Sequence, residues 1–342
     1  MKYANIILGI VLIVLSGVAL FGVINHKSPI KEETQIRVGY SGGVDQAPFV
    51  VGIEKGFFNK KGFGVEFFAM KGGGEVKQAL AGGTIDIGIG GAANFYLLAS
   101  KGVPVKMITA VAFSPSYLMV RPNELGSLED LVNKKVGGNP TGAAVLSFLS
   151  VMDLEGVDIN KIQVVDVDSE FKLLSLTKQK VVDAVPVDAF DYKRFLSNGA
   201  VVLPEWVTKG YINKNIARSA IAVRTDFLNN NEDAVVSFLD GLIKSLDFIK
   251  NYPDESAASF VTFMNKTSFG AIEYKTDDIK KTWLNGEIIY SSYVDPKLIS
   301  LEVDIAYKVG VLGKKITLND FYDLRFDQKL KEVEEKIYGK NN

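Results

Sequence analysis

The sequence contains no cysteine, and its one histidine is His26. Zinc centres, iron–sulfur centres, disulfides and thiol nucleophiles all need side chains that are therefore missing. Catalysis by a Ser–His or Cys–His pair would depend on His26, which lies directly after a long uncharged run. These absences exclude most metal-dependent and covalent hydrolytic chemistry. They also exclude a lipid-modified cysteine as a membrane anchor.

An excess of charge of either sign is missing too, because 39 basic and 40 acidic residues give a formal net charge of −1. Without a basic field, we expect no nucleic acid partner. The sequence has no GxxxxGK[ST] motif, so ATP hydrolysis would take place on another protein. The pattern Gly88-x-Gly90-x-x-Ala93 resembles a dinucleotide-binding motif, but the next strand lacks the acidic residue that such a site needs. We therefore predict no cofactor.

The longest apolar run occupies residues 4–24 and carries no charge. As a helix it would be roughly 30 Å long, which matches the hydrocarbon core of a bilayer. We interpret residues 1–27 as an uncleaved signal-anchor, a transmembrane helix, followed by a polar linker at 28–34; a cleaved signal peptide is the alternative. Either interpretation places residue 35 onward on the extracytoplasmic side, periplasmic or extracellular, anchored to the cell membrane or secreted.

From residue 35 onward, short strands alternate with helices. The pattern predicts strands at 36–40, 64–70, 85–91 and 105–113, and then at 117–122, 134–139, 162–167, 182–187 and 219–224. Such alternation is typical of right-handed βαβ units and mostly parallel sheets. The rest of the chain predicts helices, which lie between Asn231 and Pro253, at 277–290 and at 296–309, with Thr276 and Asp295 as caps of the last two.

The two series of strands predict an α/β protein with two lobes. Lobe 1 is discontinuous, at 35–116 and 222–342, and lobe 2 is inserted in it at 117–221. The chain would cross between the lobes twice. Ligands of such sheets bind beyond the carboxyl ends of the strands, so two facing lobes predict a cleft between them.

Four stretches of the sequence carry a resemblance to a known family: IRVGYSGGVDQAPFVVGIEKGFFNKKGFGVEF (36–67), EVKQALAGGTIDIGIGGAANFYLLASKGVPVKMI (75–108), SLEDLVNKKVGGNPTGAA (127–144) and NDFYDLRF (319–326). In this order they resemble the substrate-binding proteins of nitrate, sulfonate and taurine ABC importers, a group that includes the thiamine-precursor-binding (NMT1/THI5-like) proteins. The resemblance implies the bilobed, type II-like periplasmic-binding-protein fold and a monomer. It also implies capture of a small solute and delivery to an ABC permease with a separate cytoplasmic ATPase, and the polar loops favour an anionic or zwitterionic organic solute, such as a sulfonate, taurine or nitrate.

The candidate binding residues lie at the predicted strand ends. They are Ser41, Gly42 and Gly43; Gly90, Gly91, Ala92 and Asn94; Ser116; Thr141 and Gly142; and Asp188. Free N–H groups and small side chains at helix starts suit an anion or a polar head group, although the same residues also suit ordinary turns and caps. Asp188 would pair with a ligand amine or guanidine, or else cap the next helix.

Three arginines, Arg121, Arg218 and Arg224, lie near the predicted crossings. An arginine suits a sulfonate or carboxylate, but hinge or surface salt bridges are the commoner role. The aromatic residues that follow or flank the early strands, Tyr40, Phe49 and Phe95, fit core packing better than ligand stacking.

Two other functions stay open. The fungal pyrimidine synthases that are similar to the family use an active-site histidine and a cysteine-rich motif, which this chain lacks. A carboxylate-only enzyme could draw on Asp45, Asp86 and Asp188, but their spacing does not indicate an acid–base pair. A membrane-tethered sensor would use the same cleft, yet only three residues precede the apolar run, which favours delivery to a permease.

Overall fold

The computed structural model describes residues 34–60, 62–167, 170–211, 216–267 and 274–339. The predicted signal-anchor and all of the linker except Thr34 lie outside these residues. Within the described ranges, no helix combines the length and the apolar character needed to cross a membrane. Residues Gln35–Asn342 form one compact unit.

Sheet A holds the beginning of the described chain and its return. Its strands are β1 (Thr34–Tyr40), β2 (Phe63–Ala69), β3 (Ile87–Gly90), β4 (Val105–Ser114), β10 (Ile216–Arg224) and β11 (Ile289–Tyr290), in the order β11-β4-β10-β3-β1-β2. Val38 pairs with Ile87 in the parallel sense, whereas β10 runs antiparallel to both β3 and β4.

Sheet B is built from the middle of the chain. Its strands are β5 (Ser116–Val120), β6 (Lys135–Gly138), β7 (Gln163–Asp166), β8 (Ala184–Asp188) and β9 (Val201–Val202), in the order β7-β6-β8-β5-β9. Here β6 is parallel to β7 and β8, and β5 is antiparallel to β8 and β9. The prediction of mostly parallel sheets therefore needs a correction. The strands that follow the two crossings, β5 and β10, are antiparallel to the strands beside them.

Helices cover both sheets. They are α1 (Ala47–Glu54), α2 (Gly73–Gly82), α3 (Ala92–Ser100), α4 (Ala143–Leu154), α5 (Glu170–Lys178), α6 (Ala189–Ser197), α7 (Pro204–Thr208), α8 (Thr225–Asn230), α9 (Glu232–Asn251), α10 (Pro253–Thr267), α11 (Thr276–Leu284), α12 (Pro296–Lys308), α13 (Leu318–Phe321) and α14 (Asp327–Tyr338). Short 3-10 turns lie at Val44–Gln46, Glu129–Leu131, Ile159–Lys161 and Leu324–Phe326.

The first crossing between the sheets is abrupt, because only Pro115 separates β4 from β5. The return crossing lies before Ile216, since β10 pairs with sheet A along its length. The predicted boundaries at 116/117 and 221/222 therefore place Ser116 and the first part of β10 with the wrong sheet. The division into two lobes itself stays a prediction.

One apolar cluster runs through both sheets. It joins residues of β4 and β5 with Phe148 of α4, Trp206 of α7 and Ile299 of α12, all of them buried. The indole Nε1 of Trp206 donates to the carbonyl oxygen of Ser116 at 2.9 Å, which fixes the start of β5 just after the crossing. Burial of aromatic residues at this point stabilises the junction of the two sheets.

Of the two helices predicted near the C-terminus, α12 begins as the sequence predicts and α11 is shorter than predicted. Asp295 caps α12 as predicted, and its side chain accepts from the Lys297 N–H at 3.0 Å. The helix predicted at 277–290 instead ends at Leu284, and Gly286 follows with φ 67°. Its cap is Lys275 rather than Thr276, which is the first helical residue. Residues 289 and 290 form β11.

Candidate functional site

The carboxyl ends of β1, β3, β6 and β8 converge near the start of β10. The centre of this region is an ion pair between Arg218 Nη2 and Asp188 Oδ2, 2.8 Å apart. Asp188 ends β8 in sheet B, and Arg218 belongs to β10 in sheet A. The Asp188 side chain is only 5% exposed, so this pair joins the two sheets in a largely desolvated place.

A second carboxylate, Asp45, lies close to the same guanidinium. It follows β1, and its Oδ2 accepts from the Ser219 hydroxyl at 2.8 Å. Burial raises the pKa of Asp45, and the negative charge of Asp188 raises it further, while Arg218 and the Ser219 hydroxyl lower it. Two acids therefore share one arginine.

Asp188 and Arg218 border a cavity of about 240 Å³. Its polar lining comes from both sheets and includes Gly138, Asn139, Gly142, Asp188, Asp191 and Arg218. Asp191 accepts from Arg194 at 3.0 Å, and its own N–H donates to Asp188 at 3.2 Å. Asp188 thus pairs with an arginine of the chain and caps α6, the second of its two predicted roles; the predicted pair with a ligand stays a prediction. We call this cavity and Asp45 the cleft.

The predicted loop Ser41-Gly42-Gly43 follows β1 and leads to Asp45. Gly42 and Gly43 have φ values of 69° and 126°, which require glycine. The Gln46 side chain accepts from the Ser41 N–H at 3.1 Å and donates to the Ser41 hydroxyl oxygen at 3.0 Å. The Ser41 hydroxyl keeps its own proton for another acceptor.

The predicted group after β3 opens α3. Gly91 is the N-cap residue, and Ala92 begins the helix, as the small-residue turn predicts. A Cβ atom on Gly91 would lie 3.8 Å from the Asn94 amide nitrogen and 4.0 Å from the Arg218 carbonyl oxygen. Gly90, Gly91 and Asn94 are therefore next to the arginine strand.

The predicted pair Thr141-Gly142 opens α4, but its two residues differ. The N–H and the hydroxyl of Thr141 both donate to Asn139 Oδ1 at 2.9 Å, and Thr141 is exposed and does not line the cavity. Gly142 does line it, as do the first residues of α4. No side chain caps this helix, so its first N–H groups can bind an anion.

Ser116 pairs directly with Asp188 across β5 and β8. Its hydroxyl is buried and has no hydrogen-bond partner among the described residues. The neighbouring Ser114 hydroxyl accepts from the Ala189 N–H at 3.2 Å and so holds the start of α6. Both serines lie at the first crossing, where the sequence predicts them.

The remaining charged and aromatic candidates lie elsewhere. Asp86 takes a bidentate bond from Arg37 at 2.9 and 2.6 Å, at the opposite end of β1 and β3 from the cleft. Arg121 pairs with Glu124 and Asp183, and Arg224 pairs with Asp226. The aromatic residues Tyr40, Phe49 and Phe95 are buried. The described residues contain no cluster of acidic or histidine side chains that could hold a metal ion.

Sequence reasoning underrated three residues of the cleft. The sequence presents Asp45 as one of several carboxylates without a paired acid and Arg218 mainly as a hinge salt bridge, and it gives no signal for Asn139. The signal for Arg218 is its place on the strand that follows the return crossing. Such a strand must pass the mouth of the cleft, so a charged residue near its start can face a ligand.

Comparison with known proteins identifies the family and the fold. The sequence model of the NMT1/THI5-like family matches residues 44–256, well over half of the chain. The chain belongs to the NMT1/THI5-like family. The match begins one residue before Asp45 and includes Asp188 and Arg218, and it confirms the resemblance seen in the sequence.

Individual relatives of this family member are distant. A protein of Haemophilus influenzae (strain ATCC 51907 / DSM 11121 / KW20 / Rd) that is named for thiamine biosynthesis is 23% identical over 238 residues, which cover 68% of this chain and 74% of the relative. The structure is similar to the periplasmic aliphatic sulphonate-binding protein SsuA of Escherichia coli, with a TM-score of 0.65, 16% identity and coverage of 84% and 92%. The structure is also similar to the periplasmic nitrate-binding protein NrtA of Synechocystis PCC 6803, with a TM-score of 0.58 and 14% identity. The similarity covers 90% of this chain and 89% of NrtA. These structures establish the α/β periplasmic-binding-protein fold.

Proposed function

We propose that this protein is an extracytoplasmic solute-binding protein of an ABC importer, which captures a small zwitterionic organic solute and delivers it to a permease. The observation that carries this proposal is the Arg218–Asp188 pair, which joins sheets A and B at a polar cavity. A solute in this cavity touches both sheets and so favours a closed arrangement that a permease can recognise.

The charges of the cleft narrow the predicted anionic or zwitterionic solute to a zwitterionic one. Asp45, Asp188 and Asp191 face two arginines, and Arg194 already pairs with Asp191. A solute that carried only negative charge would meet more acid than base. An ammonium group or another strong donor between Asp45 and Asp188 balances the excess.

The negative end of the solute has its own place. The first turn of α4 offers the N–H groups of the alanines that follow Gly142, and α3 offers a similar start after Gly91. Helix N-termini of this kind stabilise sulfonates, carboxylates and phosphates. The aliphatic sulphonate and the nitrate named for two structural relatives belong in the test panel for this reason.

The experiment is isothermal titration calorimetry with three solutes of one skeleton: taurine, which has both charges, isethionate, which has only the sulfonate, and ethanolamine, which has only the ammonium. Sulfonates, nitrate, pyrimidines and amino acids complete the panel by thermal shift. A solute at 100 times its dissociation constant stabilises the folded protein by about 2.7 kcal/mol, which is easily measured. Turnover of a bound solute would replace this proposal with an enzyme.

The variant Asp45→Asn tests the zwitterion directly, with Asp226→Asn on the surface as the matched control. A charged hydrogen bond is worth about 1.5–3 kcal/mol, so we expect the affinity for an ammonium-bearing solute to fall roughly 10- to 100-fold. The affinity for its anion-only partner should not fall, and it should rise to the extent that the Asp45 charge repels the anion. An anion-only solute that binds as tightly as the zwitterion would disprove the ligand class and leave the solute-binding function in place.

A further inference from the structure

A second and larger cavity, of about 590 Å³, lies between α4 and α12. Helix α4 contributes Ser147, Ser150, Val151 and Leu154, and α12 contributes Leu298, Leu301 and Glu302. It shares no lining residue with the 240 Å³ cavity of the cleft. Volumes of this size hold small organic molecules. We call this cavity the groove.

The walls of the groove expose large apolar side chains. Leu154 is 61% exposed, Leu298 56%, Leu301 44% and Ile289 40%. All four line the groove. Single exposed leucines are ordinary, but four that converge on one concave site mark a surface that gains free energy when an apolar molecule covers it.

A carboxyl group lies buried in these apolar walls. Glu302 is 8% exposed, and its Oε2, like the nearby Tyr96 hydroxyl, has no hydrogen-bond partner among the described residues. Burial raises the pKa of Glu302 to about 8. A lone buried acid is costly to ionise, and a ligand that brings a positive charge or strong donor removes that cost.

The other acids of the groove already have partners. Asp295 accepts from the Lys297 N–H at 3.0 Å, and Glu334 accepts from the Ser292 N–H at 2.6 Å. Among the described residues, no lysine or arginine lines the groove. Three carboxyl groups and several leucines without a basic side chain favour a ligand with an apolar body and a positive end.

We propose that the groove is a second ligand site, which binds a hydrophobic amine with its apolar body between α4 and α12 and its ammonium group at Glu302. This site does not depend on the proposed function of the cleft. Its ligand would touch α4, which covers sheet B, and α12, which follows sheet A. Occupation of the groove would therefore add a contact between the two parts of the chain.

The experiment compares three probes of one skeleton by calorimetry on the full chain: 4-phenylbutylamine, 4-phenylbutan-1-ol and 4-phenylbutyrate. We expect the amine to bind at least tenfold more tightly than the alcohol, and the butyrate to bind most weakly. In the variant Glu302→Gln the amine and the alcohol should bind equally. An amine that binds no more tightly than the alcohol, or keeps its advantage in Glu302→Gln, would overturn the proposal.

Two further variants keep the test decisive if Glu302→Gln does not fold. Ser150→Phe fills the groove from the half-buried face of α4 and should abolish binding of the amine. Asp45→Asn changes the cleft and should leave binding of the amine unchanged. Binding that survives Ser150→Phe, or is lost in Asp45→Asn, would place the amine outside the groove and refute the proposal.

Discussion

Two buried carboxyl groups near α4 differ in their partners: the first turn of α4 lines the cleft, and its later turns line the groove. Asp188, in the cleft, pairs with Arg218 at 2.8 Å and accepts from the Asp191 N–H at 3.2 Å. Glu302, in the groove, has no such partner among the described residues. Both are more than nine-tenths buried.

The difference shows how surroundings decide what a buried acid can do. Asp188 already has an arginine and a helix N-terminus as partners, so a ligand of the cleft meets it as part of an ion pair. Apolar walls alone favour the neutral form of Glu302, so the groove offers a charge only when a ligand supplies the opposite one. Asp188 in the cleft thus already has its partners, whereas Glu302 in the groove gains one only from a ligand.

The largest expected effect comes from the titration of Glu302. Burial raises its pKa from 4.5 to about 8. Between these values the unfolded chain has lost the proton and the folded chain keeps it, so stability falls as the pH rises through this window. We expect the free energy of unfolding to drop by about 4 kcal/mol more in the wild type than in Glu302→Gln between pH 5 and pH 8.

Urea unfolding at several pH values measures this difference. The variant is its own control for Asp45 and Asp327, whose pKa values burial also raises, because both proteins contain these groups. Parallel curves for the two proteins would show that Glu302 is already ionised and solvated, and the contrast with Asp188 would disappear.

The next effect tests the paired acid. Asp188→Ala leaves the Arg218 guanidinium without its carboxylate and removes a cap of α6. Breaking one side of a buried pair costs about 3 kcal/mol, and partial exposure of Arg218 keeps the expected loss at this lower end. The matched control is Asp304→Ala, which removes an exposed pair with Lys315 at 3.8 Å and should cost under about 0.5 kcal/mol. Equal losses would mean that the cleft pair is solvated.

Local patterns in the sequence predict much of the fold. The small-residue turn after β3 gives α3 its first residue, and Asp295 gives α12 its cap, because both signals act within a few residues. The helix predicted at 277–290 is too long, although Asn285-Gly286 is an ordinary stop signal that the apolar residues after it obscured. The antiparallel direction of β5 and β10 depends on which strands pair in the folded sheet. A pattern of a few residues does not contain that information.

The site is harder to predict for the same reason. The glycine loops and Asp188 are visible in the sequence as strand ends, and the structure brings these strand ends near one another. The guanidinium that organises them lies 173 residues beyond Asp45 along the chain. Glu302 reads as an ordinary polar position on an amphipathic helix, and only the packing of α4 against α12 shows that it is buried.

The smallest effect concerns the edge of the cleft. Lys193 of α6 pairs with Glu287, which precedes β11, so this pair links an element of sheet B to one of sheet A. Lys193 is 59% exposed, and an exposed pair contributes only about 0.5–1 kcal/mol, or roughly a two- to fivefold change in a dissociation constant. We expect Lys193→Met to weaken binding of the cleft solute by that factor.

Salt separates this link from a direct contact with the solute. Because an exposed pair is screened, the difference between wild type and Lys193→Met should vanish at high ionic strength, whereas the loss in Asp45→Asn should largely persist. Lys329→Met is the control, since Lys329 pairs with Asp240 within the part of the chain that covers sheet A. A loss in Lys193→Met that does not depend on salt would instead mean that Lys193 contacts the solute directly. The cleft would then contain a further basic side chain, and the excess of acids that favours a zwitterion would be smaller.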